Sequence, residues 1–307
     1  MWRETSVPRS GLSSWSSTIA AVKTFATLPG PEAKRGIPCR FCGGVSFSQL
    51  WDCGAFSFVS CRGCGLIQQN PQSVPEAVAA RYDETYLRYE EENQLVFRDL
   101  ELLALGDLGF EAATGPLFAR AHEEGRKPRV LDVGCATGAL LAAFRDVGWE
   151  PQGVEISVAQ ARYGEDRFRL PIFAGSLEAA AFPDAAFDLV HASHLIEHLG
   201  DPAAFLDEVA RVLAPGGLLA LTTPNADGFQ AKLFGSGWRS AIYDHLYLFS
   251  LRTLTALLES RSFEVSARIT WGGWARGLKP AFIKQPLDTV AKRCGFGDVM
   301  AILARRL

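Results

Sequence analysis

Apolar residues in this chain fall into short blocks parted by polar turns, and beyond residue 126 the blocks take a regular order. Residues 129–133 (Arg-Val-Leu-Asp-Val) form an apolar run with strand character, and residues 139–144 continue as a helix. Residues 152–156 read as a second strand, 170–175 as a third, 187–193 as a fourth and 218–223 as a fifth. Between the last two, Phe205, Val209, Val212 and Leu213 recur at helical spacing. Asp201 stands as the N-cap of that helix, Pro202 at its first position, and Pro215-Gly216-Gly217 breaks it. Residues 251–259 read as a helix, 263–270 as strand six and 298–304 as strand seven. Residues 271–296 between them are too long for a hairpin loop and predict a helical insertion. Strands alternating with helices predict an α/β domain with a doubly wound sheet.

Upstream the pattern differs. Residues 45–51 and 55–59 alternate like strands, and residues 97–104 are amphipathic with helical period. Tyr82, Tyr86 and Tyr89 are spaced by four and three, so one helical face is aromatic. That face either meets a ligand or docks the helix on the core.

The chemistry begins where the first strand ends. Asp132-x-Gly134-x-Ala136-x-Gly138 is a loop whose glycines let backbone pass close beneath a ligand. Glu155, at the end of the second strand, can accept hydrogen bonds from both ribose hydroxyls of a nucleoside. A dinucleotide site would read G-x-G-x-x-G, with pyrophosphate on the helix N-terminus. Asp132 would repel a pyrophosphate and suits a cationic or zwitterionic ligand.

This loop resembles the first motif of the class I S-adenosylmethionine (SAM) methyltransferases, with Ala136 in place of the middle glycine. Residues 211–225 (RVLAPGGLLALTTPN) are similar to the fifth-strand region of the same family. The resemblance covers about residues 126–307. It implies a Rossmann-like, seven-stranded doubly wound sheet whose last strand is antiparallel, with SAM as cofactor. It implies that Asp132, Gly134, Ala136 and Gly138 line the methionine end and that Glu155 holds the ribose. Ser176 and Leu177 would meet the adenine edge, although the family often has Asp where Ser176 stands. His191 to Ser193 would flank adenine and sulfonium. Residues 71–125 would form a helical linker and lid over the cofactor, from which a tyrosine hydroxyl could touch the methionine carboxylate.

Cys39-x-x-Cys42 and Cys61-x-x-Cys64 are two pairs with 18 residues between them. That spacing predicts a four-thiolate zinc site in a zinc ribbon over residues 36–70, ahead of disulfides or free thiols. Four protein ligands leave no open position, so the zinc would be structural. A unit of roughly 35 residues cannot bury enough core alone, and bound metal contributes on the order of 10 kcal/mol of folding free energy. Cys53, Cys135 and Cys294 lie outside the pattern and read as core or turn residues.

Methyl transfer is an in-line displacement, and an oxygen acceptor must also lose a proton. His194, His198 and His245 are the candidate bases, because imidazole titrates near neutrality. His194-x-x-Glu197-His198 matches an inverted zinc-protease string, but it follows a strand of the wrong fold. Some O-methyltransferases of the superfamily carry Glu-x-x-Glu-His here and hold a divalent metal with it. By that resemblance His194, Glu197, His198 and His245 could hold one. Trp238, Tyr243, Trp271 and Trp274 lie in segments 225–247 and 271–296, where the acceptor pocket is expected. They suit ring stacking or plain packing equally.

Charge and composition narrow the partners. The net charge is −3, whereas nucleic-acid binders usually present a strongly basic surface. Nucleic acid is therefore not the expected partner, although Arg40 and Arg62 leave a local basic face on the ribbon open. Thr223-Pro-Asn225 also differs from the Asn/Asp-Pro-Pro-Tyr/Phe motif of amino-group base methylases. No apolar run approaches 18 residues, so no spanning helix is expected. Apolar residues make up 48%, enough for a well-filled core and in keeping with a cytoplasmic enzyme. Residues 1–35 are Ser/Thr-rich, weakly like a transit peptide, and read as a disordered tail. The expected function is methyl transfer from SAM to a small molecule: a sugar, phenol or quinone-like precursor, with oxygen favoured. The alternatives are an RNA methyltransferase that grips substrate with the ribbon, and a non-catalytic SAM-binding scaffold.

Overall fold

A computed structural model describes residues 34–73, 84–272 and 294–307. In chain order its elements are β1 (Lys34–Arg35), β2 (Phe47–Asp52), β3 (Ser57–Cys61), β4 (Ile67–Gln69), β5 (Gln72–Ser73), α1 (Glu84–Asp107) and α2 (Phe110–Glu123). Then come β6 (Arg129–Val133), α3 (Ala139–Asp146), β7 (Glu150–Glu155), α4 (Val158–Phe168), β8 (Ile172–Ala174), α5 (Leu177–Ala180) and β9 (Phe187–Ser193). The chain closes with α6 (Pro202–Val212), β10 (Leu213–Pro224), α7 (Phe229–Phe234), β11 (Tyr247–Leu248), α8 (Leu251–Glu259), β12 (Phe263–Trp271) and β13 (Val299–Arg306).

Seven strands make the main sheet in the order β12-β13-β10-β9-β6-β7-β8. Strands β6 to β10 run parallel, and β13 is antiparallel to both β10 and β12. The central strands alternate between two cores, because successive side chains point to opposite faces. Leu131, Val190, Leu219 and Leu221 share one core with Leu206 and Val209 of α6. Val130, Leu189, Leu218 and Ala220 share the other with Phe144 of α3 and Leu117 of α2. Strand order reverses between β6 and β9, and this switch point opens a crevice at the carboxyl ends.

Local signals hold where the sequence carries them. Asp201 caps α6, its Oδ1 accepting from the amides of Ala203 and Ala204 at 3.2 and 3.1 Å. Ser250 and Thr253 form a capping box at the start of α8. The tail over 1–33, Tyr82, the side chain of Tyr86, Trp274 and the interior of the 271–296 insertion lie outside the described residues.

The ribbon strands depart from the picture of a self-contained module. They form a four-stranded sheet, β11-β4-β3-β2, whose fourth strand comes from beyond β10. Gln69 completes the join. Its side-chain amide donates to the carbonyls of Tyr243 and His245, both at 2.8 Å, and its backbone N–H donates to Leu246 O at 2.8 Å. Trp238 packs edge-on against Trp51, and Tyr243 against Phe56. These two buried rings are therefore spent on the ribbon seam and not offered to an acceptor.

Candidate cofactor crevice and acceptor face

The glycine loop bends through left-handed backbone at Gly134, Ala136 and Gly138, with φ of 73°, 48° and 76°. A side chain costs roughly 1–2 kcal/mol in that region, so Ala136 holds it against its preference. The reason is Glu155, whose Oε2 accepts the Ala136 amide at 3.0 Å and whose Oε1 accepts the Ser157 amide at 2.8 Å. Each carboxylate oxygen has two lone pairs, so one on each oxygen stays free, which suits two ribose hydroxyls. Burial pushes the Glu155 carboxyl up in pKa, against the two amides that favour its charged form. At Gly134 a Cβ would stand 3.3 Å from Leu195, and at Gly138 it would stand 3.0 Å from Leu170. A side chain at either glycine would crowd these leucines, so backbone forms the floor of the crevice there.

Ser176 and Leu177 follow β8 at the rim. The Ser176 hydroxyl accepts from the Ala179 amide at 3.2 Å and caps α5, while the Leu177 side chain is in the core. What these two can offer a ligand is chiefly backbone. Ile156 and Phe173 are apolar side chains exposed by 47% and 37% beside Glu155 and β8. They present a surface that a purine could cover, and nothing in their spacing marked them.

Asp132 does not face the crevice as a free acid. Its Oδ1 lies 2.7 Å from Nδ1 of His191 on the neighbouring strand, and both residues are buried. Burial disfavours a charged imidazole, but Asp132 and then Glu101 outweigh it, and the His191 pKa rises to about 10. An unfolded histidine titrates near 6.5. This pair's stabilisation is therefore complete below about pH 6.5 and is lost as pH climbs toward 10, at about 1.4 kcal/mol per pH unit. Urea midpoints for the wild type should fall across that window, and His191→Asn should flatten the fall. Equal slopes in the two proteins would mean that His191 is uncharged in the fold.

The three candidate bases occupy different settings. His194 has left-handed backbone at φ 50° and a side chain 48% exposed, with Nδ1 3.2 Å from Glu197 Oε1. Glu197 is fully buried, and its other oxygen accepts from Thr223 Oγ1 at 2.9 Å. Burial opposes its charge, but His194 and then His198 and His245 hold its pKa down to about 2. Partial desolvation of the half-exposed ring opposes the His194 cation, and Glu197 overrides it to raise that pKa. His198 Nδ1 lies 2.9 Å from Asp244 O, and His245 Nδ1 lies 2.8 Å from Ser240 O. A carbonyl only accepts, so each Nδ1 carries the proton and each Nε2 is left with a lone pair when the ring is neutral. These rings meet edge to face at 4.7 Å. Glu197, His198 and His245 bring one ligand atom each to within 4.8 Å of one another. His194 is not in that group, so the acceptor-side ligand set differs from the one expected from the sequence.

The second convergence is in the ribbon. One sulfur from each of Cys39, Cys42, Cys61 and Cys64 lies within 4.8 Å of the others, with two pairs at 3.5 Å. Zinc–sulfur bonds of about 2.3 Å give a tetrahedron with edges of about 3.8 Å, so the four sulfurs fit a tetrahedral ion. Gly43 and Gly65 hold left-handed backbone just after each cysteine pair, with φ of 71° and 81°, and a Cβ at Gly44 would stand 3.3 Å from Cys42 Sγ. Burial pushes the Cys135 thiol of the glycine loop well up, which leaves it an inert core residue.

Known proteins match the central part of this sequence. A family model described as a methyltransferase domain matches residues 110–267, just over half of the 307 residues. A probable S-adenosylmethionine-dependent methyltransferase of Mycolicibacterium smegmatis is 34% identical over 138 residues, 44% of this chain and 52% of that protein. A malonyl-[acyl-carrier protein] O-methyltransferase of Pseudescherichia vulneris is 30% identical over 148 residues, 48% of this chain and 53% of that one. A ubiquinone biosynthesis O-methyltransferase of Rhodopseudomonas palustris is 34% identical over 101 residues, 32% and 40% of the two chains. The chain spans about half the length, or less, of these curated relatives. Among the described residues no helix is long and apolar enough to cross a membrane. With the glycine turn and the acid at the end of β7 inside the matched region, the chain belongs to the methyltransferase-domain family.

Proposed function

We propose that this chain transfers a methyl group from SAM to an oxygen of a small-molecule acceptor, with a structural zinc in its ribbon. The observation that carries the reading is Glu155, which sits at the end of β7 beside the glycine turn with one lone pair free on each oxygen. SAM supplies an activated methyl on a sulfonium. The chain's own residues then have three tasks: to hold the nucleoside, to orient the acceptor, and to take its proton. Glu155 and the Gly134–Gly138 backbone serve the first. For the proton, the geometry favours His194 over His198 and His245, whose Nδ1 atoms are tied to backbone carbonyls on a more buried face. Glu197 holds His194 Nδ1, leaving Nε2 on the exposed side to accept a proton from an acceptor hydroxyl. Relatives named for O-methylation support an oxygen acceptor.

Calorimetry with S-adenosylhomocysteine (SAH) tests the cofactor half. The wild type should bind, and Glu155→Ala should weaken binding by about 100-fold, since two charge-assisted hydrogen bonds of about 1.5 kcal/mol or more are lost. The transfer half calls for small-molecule extracts incubated with protein and deuterated SAM. A gain of a trideuteromethyl group by a soluble compound is expected, and transfer to RNA alone would overturn the small-molecule reading.

A second reading rests on the convergence of Glu197, His198 and His245. Two neutral imidazoles and a carboxylate suit a divalent transition-metal ion, whose charge would draw an acceptor hydroxyl toward ionisation. Two metal equivalents per chain, falling to one in His245→Gln, are its expected signature. One equivalent in both proteins refutes it and leaves the His194 reading standing.

A further inference from the structure

A buried carboxylate, Asp132, and a largely buried one, Glu101, flank the His191 ring at the carboxyl ends of the central strands. Asp132 Oδ1 lies 2.7 Å from His191 Nδ1, and Glu101 Oε2 lies 3.5 Å from His191 Nε2. Glu101 comes from α1, a helix that crosses from outside the sheet, and its side chain is only 13% exposed. Its Oε1 accepts from Ser193 Oγ at 2.7 Å and its Oε2 from Thr222 Oγ1 at 3.1 Å. Ser193 and Thr222 are register partners at the ends of β9 and β10, so Glu101 straddles the seam where those two strands open into the crevice. Within Asp132, His191 and Glu101, two carboxylates face one imidazole cation, so one negative charge is left over in this cluster. Hydroxyl donors soften a buried charge but do not neutralise it, and an uncompensated buried charge is costly.

The geometry points to Glu101 as the residue that recognises the positive charge of the sulfonium, and so makes the crevice prefer SAM to its neutral product. This rests on the cofactor reading above. It also shifts a role: the motif acid Asp132 is committed to His191, and the free negative charge is delivered by α1. A carboxylate near a sulfonium attracts the charged substrate and gains nothing from the thioether that methyl transfer leaves behind. Product release is thereby favoured over substrate release.

The test is calorimetry of the full, metal-replete chain with SAM, SAH and the amine analogue sinefungin, which is cationic where SAH is neutral. Wild type should bind both cations more tightly than SAH. Glu101→Gln keeps the shape and an acceptor oxygen but removes the charge. It should weaken SAM about tenfold and change SAH less than about twofold, which is modest for one charge at close range. Glu101→Asp should restore much of the SAM preference. A purely structural role would lower SAM and SAH affinity by the same factor, and that outcome, or no change in either, overturns the inference. If the glutamine variant does not fold, equal affinity of the wild type for sinefungin and SAH overturns it without any mutation. Failure of the wild type to bind any of the three would overturn the cofactor reading itself.

Discussion

Cys61→Ser should release the ribbon metal and, with it, the loop that carries His245. Cys61 is buried, and its sulfur sits 3.5 Å from that of Cys42. Apparent binding free energies of about 10–16 kcal/mol for structural zinc exceed what so small a unit can recover from its own core. The ribbon side of the seam consists of β4, Gln69, Trp51 and Phe56, and each meets residues between Trp238 and Leu248. Once β4 is lost, β11 has no partner strand and Gln69 no longer ties the carbonyls of Tyr243 and His245. The measurable results are loss of one metal equivalent and new proteolytic cleavage both in 36–70 and near residue 245. Cleavage confined to the ribbon would show that the loop stands without it. Unchanged metal content would remove the four-thiolate site.

Asp188→Ala should destabilise the main domain by about 2–3 kcal/mol, because it removes a buried carboxylate and leaves the Arg129 amide and two partly exposed guanidiniums without their acceptor. Asp188 is 1% exposed at the entry end of β9. Its two oxygens accept from Arg126 at 2.6 and 2.9 Å, from Arg120 at 2.7 Å and from the Arg129 amide at 2.8 Å. Burial opposes its charge, but Arg126, the Arg129 amide and Arg120 hold its carboxyl below the usual range. One side chain thus fastens the α2 end, the start of β6 and the start of β9. Denaturant unfolding would report the loss as a lower midpoint with an unchanged slope. Asp188→Asn keeps part of the hydrogen bonding and should fall between. A cost below about 1 kcal/mol, typical of surface pairs, would show that the staple is solvated.

Much of this fold was legible from periodicity and punctuation. Strand β9 and helix α8 lie where the apolar pattern puts them, and β10 only extends its predicted core back to Leu213. These segments have local causes: β-rich apolar runs, an Asp-Pro start, a Pro-Gly-Gly break and a Ser cap. The glycine loop and the two cysteine knuckles were legible for the same reason, since each needs particular residues within a few positions. Glu101 was not legible. It is one of many acids on an amphipathic helix, and only the crossing of α1 over the strand ends, with Ser193 and Thr222 below it, distinguishes it. Trp238 and Tyr243 stayed open between stacking and packing, because an aromatic residue looks the same in sequence whether it stacks on a ligand or fills a seam.

By itself the sequence determined the α/β order, the strand–turn–helix with its glycine loop, the acid at the end of β7 and the four sulfur positions, because local backbone geometry and short spacing specify each of them. Tertiary structure alone decided which acids meet His191, which histidine stays exposed, and that the ribbon shares a sheet with Tyr247 and Leu248. Those outcomes depend on burial and on partners brought together from distant parts of the chain, where the energy of a charge or a lone pair is set by its neighbours in space.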